Sequence, residues 1–136
     1  MKLSTTSYHI ETTADAAAMI RAALPKEQKE ERVFVLPLDA NGRVLAKPIL
    51  VSVGHEDGTA AIDPGAIFRE ALKAGAEEII VAHNHPSGDL TPSKADIAAT
   101  KELKDLAARL NVSLLDHLIV NASNPAFRSL AEEGVV

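Results

Sequence analysis

The sequence predicts an α/β domain: a mixed, mostly antiparallel-edged sheet flanked by helices. Three features carry this reading. Short apolar runs bounded by turn residues alternate with helix-period segments. The run "RVFVLPLD", the turn "DANG" and the return "RVLAKPILVSV" have the pattern of a hairpin, which favours a mixed sheet over a purely parallel one. The short apolar segment "EEIIVA" has the form of a central strand.

From the N-terminus, Tyr8 to Thr12 reads as a short strand. Thr13 is placed to cap a helix over Ala14–Leu24, with Ala16, Ile20, Ala23 and Leu24 on its buried face and Pro25 ending it. "KEQKEE" is a solvated charged stretch. Arg32 to Leu38 forms a strand, and its return partner is broken or edge-like at Pro48. After the loop "GHEDGT", Asp63 caps a helix with Pro64 in its first turn. That helix runs to about Lys73, buries Ile67, Phe68, Ala71 and Leu72, and stops at Gly75. "EEIIVA" follows as a central strand, then the loop "HNHPSGDLTP". Ser93 caps a long helix with a buried stripe at Ala99, Leu103, Leu106 and Leu110. "VSLLDHLIV" is a further strand, and "SLAEEGVV" closes the sequence.

Composition narrows the chemistry. With 136 residues, 46% apolar, no repeat and no linker-like segment, residues 1–136 are expected to form a single domain. Aromatics make up 3%, so the core is aliphatic. A net charge of -5 argues against a broad electrostatic footprint on DNA. The absence of cysteine excludes disulfides, thiolate metal sites and a cysteine nucleophile; any metal must be held by His, Asp, Glu or water. "MKLSTTSYHI" lacks the apolar core of a signal peptide and no stretch reaches the length of a membrane span, so a cytoplasmic location is expected.

The stretch "VAHNHPSGDLTPSKAD" concentrates the titratable chemistry. Strand alternation directs His83 and His85 to one side and Asn84 elsewhere. Pro86, Ser87 and Gly88 then turn the chain, and Ser93 opens a helix with Asp96 in its first turn. The connection is short enough to return the Asp96 carboxylate to the imidazoles. Two imidazoles and one carboxylate make a three-ligand site with an open fourth position, the arrangement of catalytic zinc, which lowers the pKa of coordinated water to about 7. A plainer account also fits. "SKAD" matches a capping box with Asp96 in place of the usual Glu or Gln, and "HPSG" alone is an ordinary surface loop. The two accounts are compatible, since a cap that fixes Asp96 also fixes a ligand.

The motif "HNHPSGDLTPSKAD" resembles that of the JAB/MPN (JAMM) metalloprotease superfamily: His-x-His, ten residues, then Asp, with Ser three before the Asp. "HNHPSG" resembles the RadC branch, as do "LLDHLIV" (Leu114–Val120), "SLAEEGVV" (Ser129–Val136) and the segment from Gly58 to Ala76. The resemblance covers most of the chain after about Glu30. It implies a three-layer α/β/α fold akin to the cytidine deaminases. It further implies zinc held by His83, His85 and Asp96, and hydrolysis of an amide or isopeptide bond in a protein or peptide. The family's upstream glutamate, which takes a proton from the activated water and passes it to the leaving group, corresponds to Glu31, with Glu30 the near alternative. Without the resemblance, Glu31 would read as one more solvated charge. Ser93 corresponds to the family serine that supports the developing oxyanion.

Other candidates carry less. His117, beside Asp116 in an apolar strand, fits a satisfied structural His–Asp pair or a residue lining the cleft. His55, Glu56 and Asp57 read as an exposed loop, with substrate contact as the functional alternative. Asp89 reads as a turn residue; Asn84 is within reach of the metal without an assigned role; His9 carries no signal. RadC chains usually bear a helix-hairpin-helix region, for which this sequence shows no room, and Pro64-Gly65-Ala66 replaces a common Pro-Arg-Glu. These departures bear on a shared partner surface and leave the metal motif intact. The competing function is a non-enzymatic module associated with DNA repair or protein interaction. A zinc deaminase is disfavoured, because that class uses cysteine ligands.

Overall fold

The computed structural model describes residues 8–54 and 62–136. Five strands form one mixed sheet: β1 (Arg32–Leu38), β2 (Ile49–Val53), β3 (Glu78–Asn84), β4 (Ser113–Val120) and β5 (Phe127–Ser129), in the order β2-β1-β3-β4-β5. Only β3 and β4 run parallel; the other three pairings are antiparallel. The parallel pair requires a crossover, supplied by α3 (Lys94–Leu110). Helix α1 (Thr13–Ala23) covers one face and α2 (Pro64–Lys73) joins α3 on the other, giving three layers. The mixed α/β architecture expected from the hairpin pattern is the one observed.

Each sheet face follows from strand alternation. Phe34, Leu36, Leu38, Ile80, Ala82, Leu118 and Val120 pack against Ala16, Ala17, Ile20 and Leu24 of the α1 region. Val33, Val35, Ile79 and Val81 pack against Ile67, Phe68 and Ala71 of α2 and Leu103 and Ala107 of α3. Each large aliphatic side chain fully buried here stabilises the fold by about 1.5–3 kcal/mol. β1 and β3 are thus covered on both sides, which fits their almost uninterrupted apolar sequences.

Several local expectations shift. Tyr8 to Thr12 is no strand: His9 makes an isolated bridge to Arg43. Thr12, not Thr13, caps α1, because its hydroxyl accepts from the Asp15 N–H while Asp15 reaches back to the Thr12 N–H. Ala23 faces solvent and Ala17 takes its place in the core. Leu72 lies at the edge of the α2 stripe and is 50% exposed. The return strand of the hairpin becomes regular only after Pro48. The buried stripe of α3 is Asp96, Thr100, Leu103 and Ala107; Ala99 and Leu106 are half-buried and Leu110 is exposed. Strand β5 is an addition of three residues, Phe127–Ser129, in a segment given no element from the sequence. No helix among the described residues is long and apolar enough to cross a membrane.

Candidate metal centre

Strand β3 runs two residues beyond "EEIIVA", so His83 is its penultimate member. It continues the face of Ile79 and Val81, toward α2 and α3, and is fully buried. His85 lies just past the strand on the same side, with its Nε2 3.1 Å from that of His83. The chain then turns: the Gly88 N–H donates to the His85 carbonyl at 2.9 Å, and Gly88 adopts φ 81°, a conformation suited to glycine. The turn brings the Asp89 carbonyl to 2.8 Å from His85 Nδ1. A carbonyl only accepts, so Nδ1 carries the proton, and a neutral His85 points an unprotonated Nε2 inward.

Helix α3 supplies the carboxylate. Ser93 Oγ accepts from the Asp96 N–H at 3.0 Å, and Asp96 Oδ2 accepts from the Ser93 N–H at 2.8 Å. This reciprocal cap pins Asp96, whose Oδ2 lies 3.0 Å from His85 Nε2 and 3.3 Å from His83 Nε2. Capping and convergence are achieved by the same oxygen.

Glu31 precedes β1 and continues the face of Val33, whose partner across the sheet is His83. Asn84 points to the opposite side and clasps the backbone around it. Its Oδ1 accepts from the Arg32 N–H at 2.7 Å and its Nδ2 donates to the Glu30 carbonyl at 3.1 Å. The Glu31 carbonyl accepts from the Gly54 N–H at 2.7 Å. So held, Glu31 is buried, with Oε1 3.7 Å from His83 Nε2 and 3.9 Å from His85 Nε2. Glu30 is exposed and pairs with Arg32.

Glu31, His83, His85 and Asp96 each offer one ligand atom, all within 4.8 Å of one another. The three distances among the His83, His85 and Asp96 atoms are 3.0 to 3.3 Å. Ligands bonded at 2.0–2.1 Å in a tetrahedron stand about 3.3 Å apart, so these residues fit a small divalent cation. Glu31 stands farther out, beyond that spacing. Electrostatics agree with the geometry. Burial disfavours the Asp96 carboxylate, but in the metal-free protein protons shared with the His83 and His85 Nε2 atoms outweigh it and hold the group well below the usual carboxylate range; a bound cation would stand in place of those protons. The Asp96 hydrogen bond raises His85 against the effect of burial. Burial raises the Glu31 carboxyl, with His83 acting the other way.

The remaining candidates separate. Ser93 sits exposed at the rim, joined to the cluster through Asp96. His117 forms no side-chain pair with Asp116, contrary to expectation, because alternation along β4 sends the two to opposite faces. Asp116 accepts from Ser129 Oγ and from the His117 and Ala131 N–H groups. The His117 ring instead meets His83 and Thr100. Asp89 is the turn residue expected, its carboxylate accepting from the Thr91 N–H. His9 lies away from the cluster and meets the Asn41 carbonyl. His55, Glu56 and Asp57 fall outside the described residues. The clasp by Asn84 and the contact of Thr100 with His117 were not anticipated, because the register of β1 on β3 and the buried face of α3 are not written in neighbouring residues.

A family model described as a RadC-like JAB domain matches residues 10–135. A UPF0758 protein of Chlorobium chlorochromatii is 39% identical over 127 residues, 93% of this chain and 55% of the relative. One from Clostridium novyi is 39% identical over 129 residues, covering 95% and 54%. One from Carboxydothermus hydrogenoformans is 46% identical over 93 residues, covering 68% and 40%. The chain spans about half the length of the curated relatives it matches.

Proposed function

The chain belongs to the family of RadC-like JAB domains, and from that premise we propose that it is a zinc-dependent hydrolase of the JAMM type, cleaving an amide or isopeptide bond in a protein or peptide. The observation that carries the proposal is the convergence of His83, His85 and Asp96 at ligand spacing, with Glu31 beside them. Zinc held there supplies Lewis acidity, polarising a carbonyl and making water nucleophilic at neutral pH. The protein's own residues supply the rest. Glu31, buried and held by its flanking backbone, takes a proton from the attacking water and delivers it to the departing amine, acting as base and then as acid. Its raised carboxyl pKa suits both directions of transfer. Ser93 Oγ accepts from the Asp96 N–H, which leaves its own hydrogen free to donate to a developing oxyanion. We place this activity in the cytoplasm, in keeping with a sequence without cysteine.

Two measurements test the proposal together: metal content of the purified protein, and cleavage of a library of quenched fluorescent peptides and isopeptides. The expected result is about one zinc per chain, with turnover abolished by a chelator and restored by zinc. A protein that takes up no divalent cation contradicts the proposal. A zinc-loaded protein that cleaves nothing, and binds DNA or a partner equally well after His83→Ala/His85→Ala, favours a non-enzymatic module.

A further inference from the structure

Among the described residues, His117 is the one fully buried imidazole outside the ligand set. Its Nε2 lies 2.8 Å from His83 Nδ1, and its Nδ1 lies 2.6 Å from Thr100 Oγ1. Thr100 Oγ1 is in turn 2.7 Å from the carbonyl of Asp96, one helical turn earlier.

The direction of every bond in this chain is fixed from one end. The Asp96 carbonyl can only accept, so the single hydroxyl hydrogen of Thr100 goes to it. Thr100 Oγ1 must then accept from His117 Nδ1–H. The His117 ring is fully buried, and its two hydrogen-bond partners are Thr100 and His83, neither a carboxylate, so it carries one ring proton, at Nδ1, and its Nε2 accepts. His83 therefore donates through Nδ1–H, and its Nε2 lone pair faces the other ligand atoms. Reversing the chain would place a proton on His83 Nε2, where a metal must bind.

We propose that His117, oriented by Thr100, is a positioning residue that fixes the metal-binding tautomer and ring angle of His83. The claim rests on the metal-binding reading above. Two features of the fold support it. The β3–β4 register slips by one residue between Ile79 and Ile80, leaving Leu115 without a partner; the slip brings His117 opposite Val81, on the face that His83 shares. Moreover, Asp96 provides both a carboxylate to the cluster and a carbonyl to the relay, so one turn of α3 sets the position of two ligands.

The test uses the full chain with 15N-labelled histidine, chelator-treated and zinc-loaded. Long-range 15N–1H spectra assign each ring tautomer, and competition with a chromophoric chelator gives zinc affinity. The expected result is His117 protonated at Nδ1 and not at Nε2, in both states. Thr100→Val removes the acceptor with little change in volume; it is expected to admit the Nε2–H tautomer of His117 and weaken zinc binding roughly 10- to 100-fold. Thr100→Ser restores both. Finding His117 protonated at Nε2 in the wild-type protein overturns the proposal, whether or not Thr100→Val folds. So does a folded Thr100→Val with unchanged tautomer and affinity. If zinc does not bind the wild-type protein while His117 holds the Nδ1–H tautomer, the metal reading fails and the relay direction stands.

Discussion

Glu31 Oε1 approaches His83 Nε2 to 3.7 Å, although the two residues enter the sheet on different strands. The pairing of Val33 with His83 across β1 and β3 explains the approach, because Glu31 continues the face of Val33 toward the end of β3 that carries the histidines. The distance exceeds the 3.0–3.3 Å separating the Asp96 oxygen from the imidazoles, in keeping with the proposed role of Glu31 as a base beside the metal. Glu31→Gln is nearly isosteric and removes the proton acceptor. It is expected to leave zinc content unchanged and lower turnover roughly 10²- to 10⁴-fold. Full turnover by a zinc-loaded variant would exclude Glu31 as the base.

Asp96→Asn separates the two duties of that side chain. The Asn oxygen can still accept from the Ser93 N–H, so loss of helix stability should be at most about 1 kcal/mol. The ligand charge is gone, however, and zinc affinity should fall by more than the roughly 10- to 100-fold typical of changes one shell farther out. Thermal unfolding of the metal-free protein and chelator competition read the two effects separately. Equal zinc affinity in the variant would remove Asp96 from the ligand set.

The parts of the fold visible in the sequence are those written locally. The hairpin, the Asp63 cap with Pro64, and the break at Pro48 each depend on a few neighbouring residues. The α3 stripe was misread because hydropathy assigns Asp96 and Thr100 to solvent, whereas the structure buries both at the cluster. Asp116 and His117 invite pairing as neighbours, yet a strand turns neighbours apart, and the register slip that aims His117 leaves no mark in composition. The three residues of β5 are too few to show a period.

Asn84 sits between two histidines and points away from them, clasping Glu30 and Arg32. Asn84→Ala leaves a backbone N–H and a carbonyl without these partners. Losing them is expected to destabilise the protein by about 1–3 kcal/mol. Zinc affinity should change little, since His83, His85 and Asp96 keep their own supports. Turnover should drop as Glu31 loosens. Denaturant titration with parallel zinc competition tests the separation; a loss of zinc binding as large as that of Asp96→Asn would show that the clasp holds the ligands themselves.

Acid should weaken the fold through two half-buried carboxylates held by backbone N–H groups. Asp15 accepts from Glu11 and Thr12, and Asp39 from Arg43 and Asn41; these bonds lower both carboxyl groups below their ordinary value. As pH falls, the unfolded chain takes up these protons first. The stabilisation is therefore complete above the unfolded carboxylate value of about 3.9 and is lost as pH drops through it toward the folded values. Asp15→Asn/Asp39→Asn should flatten the dependence of unfolding free energy on pH below about 4.5. An unaltered acid limb would show that other carboxylates carry it.

Gly88 is expected to link loop conformation to zinc affinity. Its φ of 81° is in the left-handed region, and a Cβ there would lie 3.1 Å from Asn121 Nδ2. That amide donates to the Gly88 carbonyl, and Asn121 Oδ1 accepts from Gln28, so the loop is tied to the end of β4 and to the segment before Glu31. Gly88→Ala imposes backbone strain of about 1–2 kcal/mol and pushes against Asn121. Relief by loop movement would carry the Asp89 carbonyl away from His85 Nδ1, releasing the tautomer it holds. The variant is expected to lose stability and to bind zinc more weakly, while Gly134→Ala, at a similar φ but remote from the loop, should lose stability alone. Equal zinc affinities in the two variants would mean that His85 keeps its orientation without the turn.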